Sequence, residues 1–120
     1  MDIVSRVQEL LHLPLDNLRK ELRLVELNIG VLERRLEVIN NPELYREQYQ
    51  EKLRVIRTDL ENCTHDEQRF ENVELLAKAY LKLVSELGNR EAIEYWTQEL
   101  DKLYIDLKVY QVAMEVWGTE

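Results

Sequence analysis

Few residues in this chain are equipped for chemistry. Glu71-x-x-Glu74 and Glu91-x-x-Glu94 put carboxylates one helical turn apart on two consecutive helices. Facing pairs of that kind can hold Mg²⁺, since hard divalent cations take oxygen ligands. His12 and His65 lie far apart, and neither the paired Glu-x-x-His motifs of di-iron bundles nor a His-x-x-x-His pair for zinc is present. The single cysteine, Cys63, falls on an apolar stripe with no basic cluster to lower its pKa, which makes it a packed thiol rather than a nucleophile.

The four carboxylates resemble the acidic arrangement of the all-helical MazG-type nucleotide pyrophosphatases. That resemblance implies Mg²⁺-dependent release of pyrophosphate, with Glu71, Glu74, Glu91 and Glu94 as metal ligands. The family's second motif typically ends in Asp where this chain has Glu94, and basic residues that would grip phosphates are sparse nearby. Glu pairs at this spacing also suit any solvated acidic helix. The expectation is therefore no catalytic residue, no cofactor and no metal, with the pyrophosphatase kept as the alternative. Ala77 to Tyr80 and Leu87 to Trp96 are similar to the helix-turn-helix of a tetratricopeptide repeat. The stretch from Tyr80 to Gly88 is too long for that family and no second copy follows at its period of about 34 residues, so no function is carried across.

The elements that position these residues are read from apolar spacing. Ile93, Trp96, Leu100, Leu103, Leu107, Tyr110, Met114 and Trp117 recur at steps of three and four, as do Leu15, Leu18, Leu22, Val25, Ile29, Leu32, Leu36 and Ile39. Each set predicts one apolar side on a long helix. Asn41 reads as a helix cap before Pro42 at the first helical position, and Gly88-Asn89 ends one helix and caps the next. A Thr64-x-x-Glu67 capping box and a shift in stripe phase divide the middle of the chain. The predicted helices cover approximately 2–12, 16–39, 42–63, 65–87 and 90–117, with one continuous helix over 42–87 as the alternative. Gly30 marks either a close helix crossing or a bend. The fold expected is all-α: an antiparallel four-helix bundle of long heptad-patterned helices, preceded by a short amphipathic helix, in a single domain over 1–120.

Three glycines and two prolines in 120 residues leave little material for sheet connections, which agrees with that class. A net charge of -8 opposes binding to phosphate backbones or anionic lipid, both of which need clustered Lys and Arg. Neither nucleic acid nor membrane is expected as a partner. Residues 65–120 hold twelve acidic and six basic residues, and most of the surplus charge lies there. The start of the chain has no basic region followed by an apolar one and no long apolar run follows, so a cytoplasmic location is expected.

A second apolar set lies off the main stripes. Leu24, Leu27, Val31 and Val38 on the first long helix, and Ile105, Val109, Val112 and Val116 on the last, fall where a bundle is normally wettest. Contiguous apolar patches of that extent usually mark an interface. These eight residues predict self-association as a homo-oligomer, a dimer, with cover by the helix at Ile3, Val7 and Leu10 as the competing arrangement. The function expected is a non-enzymatic protein–protein interaction module, an adaptor or chaperone-like small subunit with a protein partner. Besides the pyrophosphatase, the alternative is an acidic mimic of nucleic acid that occupies a basic protein.

Overall fold

A computed structural model describes residues 2–63 and 65–119, and these form five α-helices with no strand among them. The helices are α1 (Ile3–Leu10), α2 (Leu15–Ile39), α3 (Pro42–Asn62), α4 (Glu67–Glu86) and α5 (Arg90–Thr119). No helix among the described residues is long and apolar enough to cross a membrane.

Local chemistry explains most of the boundaries. The carboxylate of Asp2 accepts the Ser5 N–H at 2.7 Å and caps α1, and this bond holds the Asp2 carboxyl below its ordinary pKa. Asp66 caps α4 by accepting the Arg69 N–H at 3.1 Å, so the helix breaks between Asn62 and Glu67. Thr64, read as the cap of that helix, lies outside the described residues. Asn89 accepts from the N–H groups of Glu91 and Ala92 and starts α5.

Asn41 differs from its expected role. It precedes α3, but its side chain makes no cap there; its Nδ2 donates backward to the Glu37 carbonyl at 2.6 Å. That reversal solves a problem at the end of α2, where the last four carbonyls have no helical partner. Leu36 O accepts from both the backbone N–H and the side chain of Asn40. Glu37 O accepts from the Asn41 side chain, and Val38 O from the Asn41 N–H. The last one, Ile39 O, accepts the Gly88 N–H at 2.8 Å from the far turn. Gly88 sits at φ +69°, and a Cβ there would lie 3.1 Å from Pro42 Cγ.

The chain divides into two compact units, Met1–Arg35 with Tyr95–Glu120, and Leu36–Glu94. In the second, α3 and α4 form an antiparallel hairpin with Leu53, Ile56, Cys63 and Ala77 buried between wetter faces. Its open end, where α3 begins and α4 stops, is closed by Val38, Tyr45 and Leu87, with Tyr49, Leu83 and Val84 against them. Tyr49 packs on Tyr80 with ring centroids 5.6 Å apart, and Lys52 lies over both rings.

In the first unit, α5 runs antiparallel to α2. Arg35 stacks over Trp96 at 4.6 Å, Tyr104 donates its hydroxyl to Glu33, and Leu18 packs near Val109 and Ala113. The bond to Glu33 raises the Tyr104 pKa above its ordinary value near 10. On the part of α2 in this unit the buried positions, Leu18, Val25 and Ile29, belong to the predicted stripe. On α5 they do not: the stripe from Ile93 to Trp117 is only half-buried, while Val109 and Ala113 are fully buried. The reason is α1, whose Val7 joins Leu18, Val109 and Ala113 in one cluster and whose Arg6 pairs with Asp106. A helix packed from two directions buries the arc between its neighbours, not a single stripe.

Gly30 is exposed and a Cβ there would meet nothing within 4 Å, so it serves no close crossing. Gly30→Ala should stabilise the protein by up to about 1 kcal/mol, the propensity difference in a helix interior. Gly88→Ala should destabilise it by about 1–2 kcal/mol, since alanine resists positive φ and its Cβ presses on Pro42. Urea unfolding of the two variants measures both.

Candidate interaction surface

The residues with chemical potential are dispersed. His12 and His65 are exposed, and Cys63 is a free thiol only 5% exposed. Glu71 and Glu74 lie on α4, and Glu91 and Glu94 in the first turns of α5. Among the described residues no group of three or more His, Cys, Asp or Glu is placed to hold a metal ion, so the structure does not gather these four carboxylates into one centre. Glu74 is instead 3.1 Å from Lys78, and Glu94 is 3.3 Å from Arg90, each one turn along its own helix. Such exposed pairs contribute only a few tenths of a kcal/mol.

The eight apolar residues read as an interface divide into two groups. Leu24, Leu27 and Val31 are 53%, 66% and 66% exposed, on the side of α2 turned away from Val25 and Ile29, and Ile105 of α5 is 51% exposed. The other four differ from that reading. Val109 is fully buried and Val112 half-buried, because α1 covers that side of α5 within the chain. Val116 is half-buried, and Val38 closes the core beside Tyr45 and Leu87. The arrangement in which the Val7 helix provides internal cover therefore holds for Val109 and Val112.

Three exposed basic residues, Lys20, Arg23 and Arg34, flank the α2 row.

A second apolar surface escaped the sequence reading. Near the break between α3 and α4, Glu67, Phe70, Glu71 and Glu74 line an open groove of about 500 Å³ with Cys63 at its floor. Phe70 is 39% exposed and the nearby Leu75 is 65% exposed. Phe70 sits in the first turn of α4, beyond the reach of full cover.

If α1 covers Val109, then Val109→Glu should place an unpaired charge in the core and destabilise the fold by on the order of 4 kcal/mol, with loss of helical circular dichroism. A variant that stays as helical and as stable as the parent would contradict that packing.

No protein-family model, curated protein or solved structure matches the chain.

Proposed function

We propose that the chain is a non-enzymatic protein–protein interaction module, of an adaptor or chaperone-like kind, which self-associates through the outer face of α2. The observation that carries this reading is the row Leu24, Leu27 and Val31, three large apolar side chains more than half exposed on one side of one helix. Single exposed leucines are ordinary on any surface, whereas contiguous rows mark places where another surface docks. Full burial of such a side chain contributes about 1.5–3 kcal/mol. Association costs about 4–15 kcal/mol in lost freedom. The row together with the apolar surface it meets on a second copy reaches the scale a stable pair requires.

Sedimentation equilibrium at micromolar concentration should show a concentration-dependent species heavier than the 14.4 kDa chain. Leu27→Glu with Val31→Glu should return it to monomer with the helical circular dichroism unchanged, since both side chains are 66% exposed and their replacement disturbs no core. A species of 14.4 kDa at every concentration rules out self-association.

A further inference from the structure

The α2 row and the α3–α4 groove are both apolar and carry opposite charge. Beside Leu24, Leu27 and Val31 stand Lys20, Arg23 and Arg34, whereas beside Phe70 stand Glu67, Glu71 and Glu74. We propose that the α2 row of one copy docks in the acidic groove, at Phe70, of a second copy. This rests on the reading of α2 as a self-association surface and names what it meets.

The alternative within a homo-oligomer is α2 against α2, and charge opposes it. An antiparallel pair centred on Leu27 brings Lys20 of each copy opposite Arg34 of the other. A parallel pair sets each basic residue against its own copy. Both place like charges along the rim of the apolar contact, which disfavours that pairing. Two copies of net charge -8 also repel each other at a distance. The exposed basic residues of α2 offset that repulsion most where they meet carboxylates. The groove supplies those carboxylates around an exposed aromatic ring and has room for several apolar side chains. Each surface gives the other what a copy of itself would lack.

The test is a charge swap followed by sedimentation equilibrium, with circular dichroism confirming the fold. One variant carries Lys20→Glu and Arg23→Glu; the other carries Glu67→Lys and Glu71→Lys. Each alone should self-associate at least about tenfold more weakly than the parent, and an equimolar mixture of the two should recover association, because each then offers the other a complementary face. Added salt should weaken association of the parent chain. Parent-like association of the Glu67 and Glu71 variant, no recovery in the mixture, or association strengthened by salt overturns the pairing while leaving α2 as the contact surface. A parent chain that stays monomeric overturns both this pairing and the reading it rests on.

Discussion

The Gly88 N–H donated to the Ile39 carbonyl ties the turn between α2 and α3 to the turn between α4 and α5. A helix that ends in the interior must find partners for its last carbonyls or lose on the order of 1–3 kcal/mol for each one left bare. Ile39 is fully buried, so water is a poor substitute. Asn40 and Asn41 serve three of the four carbonyls from their own turn, and only the fourth needs a residue from the other end of the hairpin. That residue has to approach closely and turn sharply. Glycine at φ +69°, 3.1 Å from Pro42 by the position of its absent Cβ, satisfies both demands. With the ends of α2 and α4 joined there, α3 and α5 start at neighbouring points, and Val38, Tyr45 and Leu87 close over the junction.

Away from that junction, burial is decided by how many neighbours a helix has. The α5 helix meets α2 on one side and α1 on another, and Arg6 with Asp106 fixes the short helix in place. Its buried arc is accordingly displaced from the stripe that the sequence displays most plainly. As far as Val31 the α2 helix keeps its stripe inward and its opposite side bare, which leaves Leu24, Leu27 and Val31 as the apolar surface available for a partner.

Legibility in the sequence followed the same division. Helix class and boundaries were readable because they depend on local chemistry: Asn89 as a cap, Pro42 as a start, Gly88 as a stop. The inward face of α2 was readable from periodicity. Val109 and Val112 were misread because periodicity on one helix carries no information about a second helix arriving from elsewhere in the chain. Asn41 was assigned to the start of α3 when its side chain serves the end of α2, a choice that depends on which orphan group lies closer. The groove at Phe70 was missed because its residues become a surface only when two helices meet at their ends. The four glutamates, kept in the sequence reading only as an alternative metal set, are not gathered into one centre.

The central claim is that the Gly88 amide holds the end of α2, and amide hydrogen exchange of that one group tests it most directly. A donor committed to a fully buried carbonyl opens only when the junction opens, so its exchange should be slowed to nearly the same degree as amides in the middle of α3 and α4. Exchange of the Gly88 amide at the rate of an unstructured chain, while those helices remain protected, would contradict the account.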